Sequence, residues 1–351
     1  MGLRLEPAHA LEFPERVALE PALSALLTCL SKQNYQFITP SPLTHSRFLA
    51  ARQGRLGSTL RDVFGWSMPF SCDPGDDPPE LPEYLLEQLR QAGIVREIHR
   101  FDGSTMARAY QSTVRVSSSE DGLFIHSAYP TDAQDSVFFG PDTYRFLRLI
   151  KNCLLSRTPA QPGPRQLSKR LQPGLQILDV GCGSGAGGLV AARCCPDARL
   201  VLNDINPLAL SYAAINAQAA GINATLAAGD ALNAVTGNFD VIVSNPPYLM
   251  DDSARAYRHG GNALGRALSV RIACDALHRL APGGQLILYT GVAIVDGIDL
   301  FIEDMRAAWA DAACTWHYSE IDPDVFGEEL ERPAYRHIDR IAAVALIAVK
   351  D

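Results

Sequence analysis

A short apolar run, Gln176-Ile177-Leu178-Asp179-Val180, breaks directly into Gly181-Cys182-Gly183-Ser184-Gly185-Ala186-Gly187-Gly188 and then into a helical stretch through Ala192. A strand that ends in clustered glycines and restarts as a helix leaves few folds open. The glycines supply the left-handed backbone that so sharp a reversal needs. The strand–helix rhythm continues downstream. Arg199 to Asn203 reads as the next strand, Pro207 to Ala220 as a helix stopped by Gly221, Ala224 to Ala228 as a third strand and Phe239 to Ser244 as a fourth. Leu268 to Leu280 reads as a helix closed by Ala281-Pro282-Gly283-Gly284, and Gln285 to Thr290 as a fifth strand. A helix over 298–310 and strands from Thr315 to Ile321 and Ala342 to Val349 complete the set. Strands alternating with helices predict an α/β fold, a Rossmann-like, doubly wound, seven-stranded sheet that is mostly parallel. The long connection 322–341 lets the last strand return antiparallel.

The first half lacks that rhythm. Pro21 to Leu30, Leu43 to Arg52 and Leu81 to Ala92 read as helices, and Arg108 to Ser117 with Gly122 to Ala128 as a hairpin. This predicts an N-terminal α+β accessory domain, either winged-helix-like or a generic cap. Pro159, Pro162, Gly163 and Pro164 exclude a helix or central strand between the halves. The expected organisation is therefore an accessory, substrate-facing domain over 1–155, a linker over 156–171 and a ligand-binding domain over 172–351. A second break falls at Cys72-Asp73-Pro74-Gly75-Asp76-Asp77-Pro78-Pro79.

Composition removes several function classes. The first ten residues include Arg4, Glu6, Pro7 and His9 and no apolar core, so no secretory signal is expected. The longest apolar run, Ile341 to Val349, is far short of the roughly 20 residues that cross a bilayer. The eight cysteines form no C-x-x-C pair and no zinc-finger spacing, which fits reduced thiols in a cytoplasmic protein without a metal. With 31 basic and 39 acidic residues the net charge is −8, which counts against a general polyanion binder but leaves room for a local patch. Two basic runs stand out: Arg145, Arg148, Lys151, Arg157, Arg165, Lys169 and Arg170, and Arg47, Arg52, Arg55 and Arg61 beside His45. They read either as strips for a phosphate backbone or as solvated helix faces.

Four features carry chemistry. The glycine turn Gly181, Gly183 and Gly185 lets a ligand approach main-chain N–H groups with no Cβ in the way. Nicotinamide, flavin and other nucleoside cofactors share it, so alone it names no ligand. Asp204, at the end of the second strand, is placed to accept hydrogen bonds from ribose hydroxyls. Asp230, past the third strand, reads as an acceptor for an adenine amino group or as a plain helix cap. Ser244-Asn245-Pro246-Pro247-Tyr248 ends the fourth strand. Two prolines fix the backbone and leave no N–H to pair. The Asn245 side-chain oxygen and the Pro246 carbonyl then converge as acceptors, which suits an NH or NH2 group, and Tyr248 offers a flat face for a planar substrate.

These residues resemble the class I S-adenosylmethionine-dependent methyltransferases, and within them the Asn-Pro-Pro-Tyr branch that modifies nitrogen. That branch includes glutamine N5 protein methyltransferases and adenine and guanine N-methyltransferases of DNA and RNA. The resemblance covers about 172–351. It implies that Asp179, Gly181, Gly183, Gly185, Asp204, Asp230 and Asn245 contact S-adenosyl-L-methionine, with S-adenosyl-L-homocysteine as product and no metal. Phe138-Phe139-Gly140-Pro141-Asp142-Thr143-Tyr144 is similar to the family's pre-loop, but carries Gly140-Pro141-Asp142-Thr143 in place of an Arg-Pro-Glu-Thr sequence.

The expected activity is methyl transfer to a planar amide or amino nitrogen of a protein, glutamine-type, or of a small molecule. Asn245, Pro246 and Tyr248 would act at the reacting nitrogen, with Pro247, Tyr144 and His259 near the substrate. Alternatives are an RNA or DNA base as acceptor, and a non-catalytic sensor of S-adenosylmethionine or S-adenosylhomocysteine. The connection from Asp322 to Leu330 with Tyr335 reads as a pocket cap or as a surface loop.

Overall fold

The computed structural model describes residues 13–73, 78–101, 106–155, 174–251, 255 and 257–351. The expected linker 156–171 lies outside the described residues, as do residues 74–77 of the second break. Contacts divide the chain into two compact units, Met1–Pro130 and Thr131–Asp351.

The N-terminal unit is α+β. It runs α1 (Phe13–Lys32), α2 (Pro42–Ala50), α3 (Leu60–Phe64), α4 (Glu83–Gln91), β1 (Val95–Phe101), β2 (Met106–Ser112), β3 (Val114–Ser119) and β4 (Gly122–Ser127). Local chemistry starts its short helices. The Ser41 side chain accepts from the Thr44 N–H ahead of α2, and Thr59 with Asp62 forms a reciprocal capping box on α3. Two antiparallel hairpins, β1–β2 and β3–β4, stand where one was expected. The expected strand from Arg108 to Ser117 is interrupted at Thr113, whose N–H and hydroxyl both donate to the Ile94 carbonyl. β1 was not anticipated because its apolar residues, Val95, Ile98 and Phe101, recur every third position and mimic a helix.

The C-terminal unit begins at Thr131 and its first element is α5 (Pro141–Leu155), so residues 131–155, expected in the N-terminal domain, group with this unit. It continues β5 (Gln176–Val180), α6 (Ala186–Cys194), β6 (Arg199–Asp204), α7 (Pro207–Ala219), β7 (Ala224–Ala228), β8 (Phe239–Ser244), α8 (Ala267–Arg279) and β9 (Leu280–Val295). It ends with β10 (Ile298–Asp299), α9 (Leu300–Ala308), β11 (Cys314–Asp322) and β12 (Arg340–Lys350). The sheet order is β7-β6-β5-β8-β9-β12-β11, with the two-residue β10 folding back on β9. The strands from β7 to β9 pair in parallel, and β12 runs antiparallel to both neighbours, as the seven-strand reading expected.

Position explains strand composition. β12 lies between β9 and β11 and is buried from Ile341 to Leu346, so it reads as a continuous apolar run and not an alternating one. Ile272, Phe301 and Met305 pack with Leu286, Leu288, Val344 and Leu346 in the core. The expected Ala281–Gly284 turn survives as a bulge within β9, between the Phe239–Leu280 and Val241–Gln285 pairs, with Gly283 at φ 72°.

From β7 the chain crosses back to form β8 on the other side of β5. The carboxyl ends of β5 and β8 therefore meet where strand order reverses, the place where open α/β sheets bind ligands. Among the described residues no helix is long and apolar enough to cross a membrane.

Candidate active site

The loop after β5 is built by its glycines and two carboxylates. Gly181, Gly183 and Gly185 have φ of 68°, 54° and 79°. A Cβ at Gly185 would lie 3.1 Å from Ala213 Cβ, and one at Gly188 would lie 2.6 Å from Leu202 Cδ2. These two glycines let α6 approach α7 and β6. Gly181 differs, since nothing comes within 4 Å of a Cβ placed there. Its backbone is open to an approaching ligand.

Asp179 Oδ2 accepts the Gly188 N–H at 2.7 Å. Asp204 Oδ2 accepts the Gly183 N–H at 2.8 Å, and its Oδ1 accepts the Asn206 N–H at 2.9 Å. The two acids brace the loop from β5 and β6. Burial pushes the Asp179 carboxyl up to about 7 against the pull of the Gly188 bond, and burial also raises Asp204. Segment 135–140 lies over this loop. Asn206 Nδ2 donates to the Asp135 carbonyl at 2.7 Å, and Val137 Cγ1 is 3.9 Å from the Cβ position of Gly183. Tyr144 stays at the start of α5, edge-on to Phe139 with centroids 5.2 Å apart.

Asp230 departs from expectation. Both of its oxygens accept from Arg271 of α8, at 2.6 and 2.7 Å, in a half-exposed pair that holds the carboxyl below its usual range. It makes no side-chain cap bond, and Arg271 already engages its carboxylate.

The acceptor side begins with Ser244, whose hydroxyl donates to the Val180 carbonyl at 2.8 Å and pins the end of β8 to β5. Asn245 comes next. Its Oδ1 is buried and has no hydrogen-bond partner among the described residues. An acceptor left in that state is costly, by about 1–3 kcal/mol, unless a ligand supplies the donor. Pro246 is buried and Pro247 half-buried.

Tyr248, expected as a flat face for a planar substrate, is buried in the structure. It is 8% exposed. Gly291 of β9 makes room for it, since a Cβ there would lie 2.4 Å from the Tyr248 ring. The Phe326 ring meets it edge-on at 5.9 Å, and its hydroxyl faces the Asp142 carboxyl. Asp142 also accepts from the Tyr289 hydroxyl at 2.7 Å and from Arg145 at 3.2 Å, and Arg145 reaches Asp322 at 2.6 Å. Burial raises the Asp142 carboxyl, while the two tyrosine hydroxyls and Arg145 oppose that rise. Tyr248 thus anchors the Asn-Pro-Pro turn from beneath.

The loop beyond Tyr248 is tied to the connection between β11 and β12. The Met250 N–H donates to Tyr335 Oη at 2.7 Å, and Arg332 donates to the Met250 carbonyl at 3.1 Å. Arg258 pairs with Glu329. Asp251 is buried and binds Arg255 at 2.6 Å, and the Arg255 hydrogen bonds hold its carboxyl down at about 2. His259 Nδ1 accepts the Asp251 N–H at 3.3 Å, so this ring shapes the loop. The connection is therefore a clamp on the turn. Sequence reading did not single out Asp251, Tyr289 or Glu329. Only the i, i+4 spacing of Asp251 and Arg255 signals one of them. Among the described residues no group of three or more His, Cys, Asp or Glu side chains is placed to hold a metal.

The site lies in a segment similar to known methyltransferases. Residues 151–293 match the methyltransferase small domain. The chain is 32% identical over 164 residues to a release factor glutamine methyltransferase of Deinococcus radiodurans, covering 44% of this chain and 55% of that protein. It is 33% identical over 136 residues to the same enzyme of Lactococcus lactis, covering 36% and 50%. It is 26% identical over 186 residues to ribosomal RNA small subunit methyltransferase C of Serratia proteamaculans, covering 52% and 51%. The chain spans about half the length of the curated relatives it matches. The segment that matches the methyltransferase small domain, residues 151–293, holds the glycine loop, Asp204 and Asn245.

Proposed function

We propose that this protein is an S-adenosylmethionine-dependent N-methyltransferase acting on a planar amide or amino nitrogen. The observation that carries the reading is the buried, unpartnered Asn245 Oδ1 at the strand-order reversal. A nicotinamide cofactor explains the glycine loop but gives this acceptor no donor to meet.

The residues fit the cofactor. Gly181 and Gly183 expose backbone at the end of β5, and Asp204 presents a carboxylate at the end of β6 for ribose hydroxyls. When bound, the sulfonium supplies a methyl already activated for transfer. The protein's own task is placement. Asn245 Oδ1 accepts one N–H of the acceptor and the Pro246 carbonyl a second, which turns the nitrogen lone pair toward the methyl. Both dipoles also favour the positive charge that grows on nitrogen. Pro247 keeps the turn rigid, and Asp142 holds Tyr248, and so the turn, from below.

A glutamine-type amide on a protein is the acceptor to test first and an RNA base the second, since release factor glutamine methyltransferases match this segment at 32–36% identity and ribosomal RNA small subunit methyltransferases C at 26–35%. The test is incubation with methyl-labelled S-adenosylmethionine and a lysate separated into protein, RNA and small-molecule fractions. Label in the protein fraction, absent with Asn245→Ala, supports the reading. Label in RNA alone replaces the acceptor. No transfer to any fraction, with S-adenosylhomocysteine still bound, converts the protein into a sensor.

A further inference from the structure

We propose that the α2–α3 face of the N-terminal unit binds single-stranded RNA, its arginines on the phosphates and a base stacked at Arg52. Arg47, Arg55 and Arg61 are exposed and Arg52 is half-buried. No carboxylate pairs with any of the four among the described residues; the arginine ion pairs of this unit are Arg90 with Glu87 and Arg108 with Asp73. In the C-terminal unit, by contrast, Arg145, Arg255, Arg258, Arg266, Arg271 and Arg332 all bind carboxylates. The acid within residues 42–68 is Asp62, and it is engaged by the Ser58 and Thr59 N–H groups and the Thr59 hydroxyl in the α3 cap.

The same stretch builds a flat stack. The Arg52 guanidinium lies 3.6 Å over the Phe48 ring and donates to the Phe48 carbonyl at 3.5 Å. Phe48 stacks on Trp66 with centroids 3.5 Å apart and planes 7° from parallel. Behind it, Phe37 meets Trp66 edge-on, and His45 Nε2 lies 2.9 Å from the Trp66 carbonyl. The platform is therefore held from its buried side. Arg100 of β1 donates to the Gly54 carbonyl at 2.6 Å, which brings a fifth guanidinium to the Gln53–Arg55 turn.

All five cations are arginines. Guanidinium forks match phosphate oxygens and stack on bases, whereas an ammonium does only the first. Flat faces beside unpaired cations suit splayed nucleotides, and an acidic peptide has no use for them. With a net charge of −8 the chain is a poor general polyanion surface, so docking depends on a local basic patch, which this face supplies. The inference goes beyond the reading of Asn245, because docking is measured with no cofactor present and stands whether the acceptor nitrogen is on an amide or a base.

The experiment is fluorescence anisotropy of a labelled, mixed-sequence RNA of about 12 nucleotides with the full chain across a salt series. Binding is expected at about 50 mM salt, with a log–log salt slope near −3 at about 0.7 per neutralised phosphate. Arg47→Gln/Arg55→Gln/Arg61→Gln is expected to weaken binding at least about tenfold and to flatten the slope by about 2. Arg52→Lys keeps the slope but loses the stack, with an expected loss of about fivefold. Unchanged melting temperature and S-adenosylhomocysteine binding show that the variants are folded. Absence of binding at the low salt overturns the proposal, as does the same slope for wild type and the triple variant. A glutamate-rich peptide that displaces the RNA at equal affinity also overturns it, and makes the face a site for acidic protein.

Discussion

The two loops that meet at the strand-order reversal are held in opposite ways. The glycine loop satisfies itself. Asp179 reaches nine residues along the chain to the Gly188 N–H, Asp204 takes the Gly183 N–H from the neighbouring strand, and the left-handed positions are glycine. The Asn-Pro-Pro-Tyr turn is held from far away. Tyr248 faces Asp142, more than a hundred residues earlier, and the loop beyond it is gripped by Glu329, Arg332 and Tyr335. The buried Asn245 Oδ1 has no hydrogen-bond partner among the described residues. A loop that binds a constant cofactor needs only local geometry. On the proposed reading, the turn aligns a variable methyl acceptor, which needs rigidity supplied from outside and a free hydrogen-bond acceptor at Asn245.

Breaking each loop separately tests that contrast. Asn245→Ala removes the free acceptor and is expected to lower the transfer rate by about 100-fold or more, while S-adenosylhomocysteine affinity stays within about threefold. Asp204→Ala strikes the other loop. Cofactor affinity is expected to fall about tenfold to a hundredfold by calorimetry, since hydrogen bonds to a charged group are worth about 1.5–3 kcal/mol. Tyr248→Phe removes the hydroxyl on Asp142 while keeping the ring on Gly291. The expected result is a fall in kcat of about tenfold with cofactor binding unchanged, so that the turn loosens without losing its fold.

Smaller effects sharpen the picture. Asp251→Asn should lower the melting temperature at pH 7 by about 3 °C by weakening the Arg255 pair. The sign of its pH dependence follows from a folded carboxyl held at about 2 against a reference of 3.8. The stabilisation is fully present above about pH 4 and is lost as pH falls toward 2, so wild-type and variant melting curves converge across that window. Asp230→Ala is expected to change cofactor affinity by less than about twofold, because Arg271 already holds the half-exposed carboxylate and exposed pairs contribute little. A large loss there restores the adenine contact.

The same contrast separates what the chain reveals from what it hides. The glycine loop, the seven strands of the large sheet and the antiparallel β12 were legible because they rest on local rules: left-handed glycine positions, apolar runs and a helix stopped by Gly221. That Tyr248, expected as a flat face for a planar substrate, is buried was hidden because its environment is set by Gly291, on a strand that sequence spacing does not bring to it. Asp142 as its anchor, and the grip of Glu329 and Tyr335, are contacts between distant segments with no short-range signature. β1 was missed for the reverse reason, a local pattern of three that tertiary pairing with β2 overrides.

The contrast reduces to one paired measurement. Asn245→Ala and Asp204→Ala are titrated with S-adenosylhomocysteine by calorimetry, and each is assayed for transfer at saturating cofactor with the fraction that accepts label. The prediction is a crossed result: Asn245→Ala binds like wild type and transfers almost nothing, while Asp204→Ala binds weakly and recovers most of its rate once saturated. Loss of cofactor binding in Asn245→Ala to the same degree as in Asp204→Ala, or wild-type transfer by Asn245→Ala, contradicts the assignment of Asn245 to the acceptor nitrogen.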